Sequence, residues 1–385
     1  MIRIPAVLRT ASLAVPLVAT LCLALGGLTP ARAAEEPPTW SPAKAAEYLD
    51  RRAIWWSTWN SAARDHGTFC MSCHTTLPYA LARPMLRSAL HEPRPSAAEA
   101  RVLDNLLTRL HLGAAAEPFY PDQTRGIPKT SESRAIEAVM NAVVLSRRDG
   151  AAGRMSEEGR VALSTMWGLQ MKVGPNAGAW TWLNFNYEPW ESPNSPYLGA
   201  SLAALAVGAA PGRYADSPEI RANVDALRGY FQKQFEHEST LNRLMALWAS
   251  GSVQGLLTAE QHGAALDEAR AAQQPDGGWA TAQLGIYARV DKTALDTASD
   301  GYATGLATLA LQSAGVPVSD PHLARGLAWL RSHQDPKTGE WHAASLNKQR
   351  DPSADAARFM SDAATAYAVL SLTYGESLAE VRRVE

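Results

Sequence analysis

The chain has 385 residues, with 36 Lys and Arg against 38 Asp and Glu and a net charge of −2 with histidine neutral. That balance excludes the concentrated positive field of a protein that binds nucleic acid or an anionic membrane surface. Three cysteines are too few for a disulfide-stapled secreted scaffold, and the length would allow two domains if no repeat organised it.

The N-terminus reads as a secretory signal peptide over residues 1–33. Arg3 and Arg9 precede an apolar run over 11–28, and Ala31-Arg32-Ala33 supplies a small-x-small cleavage site. The apolar run approaches the length of a membrane span, so an uncleaved anchor is the competing reading. The cleavage site favours export, to a bacterial periplasm, with no membrane span left after cleavage. Cys22 follows Leu21 rather than a small residue, which argues against lipidation. Cleavage removes three arginines and no acid, leaving 33 basic residues against 38 acidic ones and a net charge of about −5.

An amphipathic helix is expected over 42–65. After it come Gly67-Thr68-Phe69 and then Cys70-Met71-Ser72-Cys73-His74. This is C-x-x-C-H, the pattern for covalent attachment of a c-type haem. The spacing suits the chemistry: two thiols add to the two vinyl groups on one porphyrin edge, and the adjacent imidazole becomes the proximal iron ligand. A zinc site would want a second Cys or His pair at similar spacing. A redox dithiol would want a low thiol pKa and no following histidine. The cofactor expected is one covalent haem c per chain, bound by Cys70, Cys73 and His74. Haem c is attached outside the cytoplasm, so motif and export agree.

Beyond the motif a unit recurs. A Ser cap followed by a small, Ala-rich apolar helix starts at Ser131, Ser195, Ser239, Ser299 and Ser361, at separations of 64, 44, 60 and 62 residues. Stepping back 57 residues from Ser131 reaches His74, where a similar helix begins. Each is preceded by a more polar amphipathic helix, at 42–65, 96–112, 156–171, 217–236, 258–273 and 321–334. Ser or Thr caps followed by acids recur at Ser96, Ser156, Ser217 and Thr258. Helices apolar all round are buried, and amphipathic ones face water on one side. Six of each predict an all-α (α/α)6 toroid, an inner ring within an outer ring, as a single domain over 34–385. An open solenoid is the alternative, but it would want polar caps at its ends.

The linkers carry a second motif. Gln334 leads to Gly339-Glu340-Trp341, Gln273 to Gly277-Gly278-Trp279, and Gln170 to Gly178-Ala179-Trp180; Gly67-Thr68-Phe69 is a degenerate copy. This resembles the QW motif of squalene–hopene cyclases and of the wider terpenoid-cyclase and prenyltransferase toroids. The resemblance implies a structural role, with Gln capping a helix end and Trp stacking on its neighbour, so that adjacent outer helices are clamped. It implies nothing secure about activity. The D-x-D-D motif by which those cyclases protonate an alkene is missing. The nearest run is Asp296 to Asp300, where Asp300 is most simply a helix N-terminal acid. No mature cysteine is left for the zinc set of protein prenyltransferases. The pattern is that of a terpenoid-cyclase-like toroid with a haem added at its mouth.

Linker-to-inner-helix junctions share one end of such a barrel, so residues there are the expected haem neighbours. The third linker is dense in aromatics: Trp180, Trp182, Asn184, Phe185, Asn186, Tyr187, Glu188 and Trp190. They would either wall a haem or substrate or pack the linker on the rim. His237, Glu238, Tyr287, Arg289, His342, Arg358 and Met360 lie at equivalent junctions. Met360, on the helix that ring closure sets beside the first, is the tentative distal ligand, with His342, His237 and His66 behind it. Arg83 could face a haem propionate or form a rim salt bridge. His91, His111, His262, His322 and His333 read as surface residues. The function expected is haem-dependent electron transfer or redox chemistry, with a periplasmic redox partner and a small-molecule substrate in the cavity as its counterparts. The alternatives are a terpenoid-cyclase-like lyase or isomerase, and a binding module without redox turnover.

Overall fold

A computed structural model describes residues 40–116 and 129–375. The expected signal peptide, residues 1–33, lies outside the described residues.

Among the described residues twelve α-helices alternate between two roles. The outer set is α1 (Pro42–Thr58), α3 (Ala97–Leu112), α5 (Glu157–Gly168), α7 (Arg221–Gln234), α9 (Ala259–Ala271) and α11 (Pro321–Ser332). The inner set is α2 (Thr76–Ala89), α4 (Lys129–Ala151), α6 (Ser195–Ala209), α8 (Thr240–Ser250), α10 (Gly301–Ser313) and α12 (Phe359–Leu372). Around the inner set each helix packs on the next, α2 on α4, α4 on α6, α6 on α8, α8 on α10 and α10 on α12, and α12 returns to α2. The ring is closed, so the fold is an (α/α)6 toroid and not an open solenoid. No helix among the described residues is long and apolar enough to cross a membrane.

Composition explains the two layers. Nearly every residue of α6, α10 and α12 is buried, because Ala, Gly, Ser and Thr let backbones approach closely. Gly305 shows how closely: a Cβ there would meet the Ala368 backbone nitrogen at 2.7 Å. The outer helices bury one stripe each and carry side-chain caps, except α7, which starts after Ile220 with no side-chain cap, so Ser217 does not cap it. Ser96 with Glu99 and Thr258 with Gln261 form capping boxes, and Ser41 and Ser156 accept from the first-turn amides of Lys44 and Gly159.

The Gln and Trp residues of the linkers act as clamps, with more reach than a simple cap. Gln170 Nε2 donates to Gly178 O at 2.9 Å and to Asn223 O of the next outer helix at 2.9 Å. Gln273 Nε2 repeats this with Gly277 O and His322 O, both at 2.8 Å. Gln334 Nε2 reaches Gly339 O at 3.0 Å and Ser41 O at 3.1 Å, and its Oε1 accepts from Ser41 N at 2.6 Å. The last clamp therefore joins the end of the chain to the first helix. Each Trp is buried and donates its indole N–H to the end of the preceding outer helix: Trp180 to Met166 O, Trp279 to Ala269 O, and Trp341 to Leu330 O. In the degenerate copy Asn105 of α3 holds Phe69 instead, through both its N–H (2.8 Å) and its carbonyl (3.0 Å).

Several boundaries differ from expectation. The first outer helix stops at Thr58, where Trp59 turns extended and a short 3-10 turn follows. The last inner helix begins at Phe359, so Ser361 lies inside its first turn and accepts from Ala343 N rather than capping it. The fifth inner helix is capped by Asp300, not Ser299.

Candidate haem-attachment site

The loop before the motif is fixed from three sides. Asn105 brackets Phe69, Arg109 Nη1 donates to Thr68 Oγ1 at 2.8 Å, and Trp56 Nε1 donates to Cys70 O at 2.7 Å. Arg109 is itself locked by Glu137 of α4 through two bonds of 2.8 Å. After the motif the chain turns into α2 through Ser72. Its hydroxyl accepts from Thr75 N (3.1 Å) and Thr76 N (3.0 Å), while its own N–H donates to Thr76 Oγ1 (2.8 Å). Ser72, the second of the two residues between the cysteines, thus holds amides at the start of the inner helix, which ties the motif's shape to the start of the ring.

Cys70 and Cys73 are free thiols. Burial pushes Cys70 up, and burial with Glu191 nearby pushes Cys73 well up. An attacking redox dithiol needs the opposite shift. Among the described residues no three His, Cys, Asp or Glu side chains converge on a point that could hold a bare metal ion.

His74 sits in an aromatic bed. Phe359 stacks on its ring with centroids 4.0 Å apart, Trp56 meets it edge-on at 4.9 Å, and Trp190 tilts against it at 5.4 Å. Although part of the residue stays open to solvent, burial of the ring lowers its pKa to about 3, with help from the Arg52 and Arg350 cations. The imidazole is neutral, as iron ligation requires. Its Nδ1 lies 2.8 Å from Thr75 Oγ1, and Thr75 Oγ1 donates to Asp362 Oδ2 at 2.7 Å. Asp362 is buried in the first turn of α12. Its Oδ1 accepts from Tyr48 OH (2.8 Å) and Arg52 Nε (2.7 Å), both on α1. Burial lifts the Asp362 carboxyl above its usual range, against the pull of Arg52, Thr75 and Tyr48.

The other candidates distribute as follows. Of the third linker, Trp190 alone makes a ring contact with His74; it also meets Tyr302 at 5.8 Å. Trp180 belongs to a clamp, and Trp182 donates to Trp190 O at 2.9 Å. Asn184 O accepts from Lys129, Lys129 lies over Phe185, Tyr187 is exposed, Asn186 takes a left-handed turn, and Glu188 pairs its backbone with the Asn347 side chain. Most of that aromatic density is rim packing. Met360 is buried beside Phe359. His66, His237 and His342 are exposed. Arg289 donates to Ser345 O and Arg358 lies 3.8 Å from Asp355. Glu238 accepts from Asn242 at 2.7 Å, and burial raises its pKa to about 7. Arg83 does not look toward the motif: it is buried in ion pairs with Asp50 (3.0 Å) and Glu92 (2.7 Å), because α1 and the α2–α3 turn present those acids to it. His322 takes part in a clamp, its Nδ1 2.8 Å from Gln273 Oε1, while His333 is exposed, as expected, and stacks on Trp329. Asp300 gives its oxygens to Thr281 N and Oγ1 and to the amides of Tyr302 and Ala303. Phe359, Trp56, Thr75 and Asp362 were not foreseen as neighbours of His74.

No family model matches the sequence, and no curated protein matches it. Among solved structures a polysaccharide lyase is similar over 89% of this chain and 92% of its own, at 11% identity and a TM-score of 0.36.

Proposed function

We propose that this chain is an exported c-type haem protein, with one haem c bound covalently through Cys70 and Cys73 and held by His74 as proximal ligand. The observation that carries the reading is the state of His74. It is a neutral imidazole whose Nδ1 is already engaged by Thr75, leaving Nε2 as the available nitrogen, next to two free thiols. A zinc or dithiol site would not need the imidazole held this way. The bound haem supplies a one-electron iron couple. The chain's own residues do the rest: Phe359, Trp56 and Trp190 pack around the ring and hold its orientation. Met360, buried one residue after Phe359, is the proposed distal ligand.

The role proposed is electron transfer or haem-dependent redox chemistry in the periplasm, with a redox partner there or a small molecule at the toroid mouth. The likeness to squalene–hopene cyclases is one of architecture. Asp300, the nearest thing to their proton donor, is committed to capping α10 and holding Thr281.

The test is a pyridine haemochrome spectrum of protein made in cells with haem-attachment machinery. Haem c that survives denaturation, and is lost in C70A/C73A, is expected. Colourless wild-type protein refutes the reading. Reduced protein that does not change its spectrum with carbon monoxide supports a distal ligand, and M360A should then bind carbon monoxide.

A further inference from the structure

We infer that Thr75 and Asp362 are positioning residues for His74, fixing which of its nitrogens is free and making that nitrogen a stronger donor to iron. The inference rests on the haem reading and goes beyond it, since a C-x-x-C-H motif assigns no role to the residue after it or to a carboxylate 288 residues later.

The argument is a count of hydrogens. Asp362 Oδ1 accepts from Arg52 Nε, which has no acceptor to offer in return, and from Tyr48 OH. Arg52 is also held by Asp355, through Nη1 to the carboxylate at 2.7 Å and Nη2 to the carbonyl at 2.9 Å, and its guanidinium lies over Trp55. Asp362 accepts at both oxygens, Oδ1 in an ion pair with Arg52 at 2.7 Å and Oδ2 from Thr75. The single hydrogen of Thr75 therefore goes to Asp362 Oδ2. Toward His74 the hydroxyl has only a lone pair, so the 2.8 Å contact requires a hydrogen on Nδ1. A neutral imidazole carries one N–H. Nε2 is left with its lone pair, ready for iron. The chain His74 Nδ1–H, Thr75 O–H, Asp362 carboxylate also leans negative charge on the ring, which favours ferric iron and lowers the potential.

The test compares full-length wild type, T75V and T75S, all made with haem attachment. The haemochrome spectrum is read first and reports only whether haem is bound. The reduction potential is read second. Wild type and T75S should agree. T75V, similar in shape but without the hydroxyl, should favour the reduced form about tenfold more, 59 mV for a one-electron couple. In parallel, ¹⁵N NMR of the unloaded chains should show His74 with Nε2 unprotonated in wild type and T75S and a mixture of tautomers in T75V. Equal potentials for haem-loaded wild type and T75V, or an Nε2–H tautomer in wild type, overturn the inference and leave the haem reading standing. Absence of haem from wild type overturns the haem reading itself. If T75V alone takes up no haem, the tautomer measurement decides.

Discussion

Closing the ring requires the turn after the last outer helix to press against the first one, and a single methyl group can probe that contact. Gly339 has φ +83°, and a Cβ there would sit 2.3 Å from Lys44 O and 2.6 Å from its carbonyl carbon. Gly315, at the end of α10, has φ +80° and nothing within 4 Å of the same position. Alanine at either site must adopt a left-handed backbone, costing about 1 kcal/mol. At Gly339 it must also push α1 away from a turn that Lys44 and Pro336 already hold together through the lysine ammonium and the proline carbonyl. Overpacking of that kind costs about 1–3 kcal/mol more. G315A should therefore lose about 1 kcal/mol and G339A about 2–4 kcal/mol. Urea titration, with the slope of the transition unchanged, reads the difference from the midpoints. If the two variants differ by less than about 0.5 kcal/mol, the seam is not under the contact described and the closure argument fails.

Other expectations follow from the clamps and the buried charges. Q334A removes the bonds to Ser41 N, Ser41 O and Gly339 O and should cost about 2–3 kcal/mol at about 1 kcal/mol each; an unchanged midpoint would show that the clamp is decorative. R52M leaves the Asp362 carboxylate buried without its cation and should cost about 3–5 kcal/mol, most of it recovered in R52M/D362L; no recovery in the double variant would mean that packing, not charge, is lost. Glu238 has a folded pKa of about 7, above its unfolded value, so the folded state binds the proton more tightly. Its contribution is favourable below the unfolded pKa and is lost as pH rises through about 7. E238Q should gain on wild type between pH 4.5 and 7, by at most about 3 kcal/mol, and a flat difference across that window would contradict the burial of Glu238. His74 works the other way in the unloaded chain. Its folded pKa is depressed to about 3, so stability should fall as pH drops below 6.5, by at most about 1.4 kcal/mol per unit, and more weakly in H74F.

The architecture was legible because it is repetitive. Ala-rich segments opening near Ser131, Ser195 or Ser239 cannot tolerate water on any face, and their polar partners can, so two nested layers follow from sequence alone. The Gln-to-Trp linkers were legible for the same reason: Gln170, Gln273 and Gln334 each bridge to the next outer helix, the clamp that the motif implies. The surroundings of His74 were largely hidden. Phe359 and Asp362 come from the last repeat, and only ring closure brings them to the first. Asp362 follows Ser361 as Asp300 follows Ser299, so by pattern it reads as one more acid at a helix start; Asp300 is that, while Asp362 turns toward Thr75 and Arg52. Arg83 forms the salt bridge that was one of its two readings, and helical spacing from Tyr79 could not say that Asp50 and Glu92 would be the acids that meet it. The crowd of aromatics over 180–190 was open to either wall or rim packing, and Trp190 is the one that tilts against His74.

The seam also sets an order of events. A chain emerging from its N-terminus presents Cys70, Cys73 and His74 early, while the phenyl ring that braces the imidazole and the carboxylate behind it arrive some 285–290 residues later. Once the final helix docks, the same imidazole is walled in by Phe359. On the haem proposal, attachment would precede that docking, and a chain lacking its last thirty residues would leave this face of the imidazole uncovered.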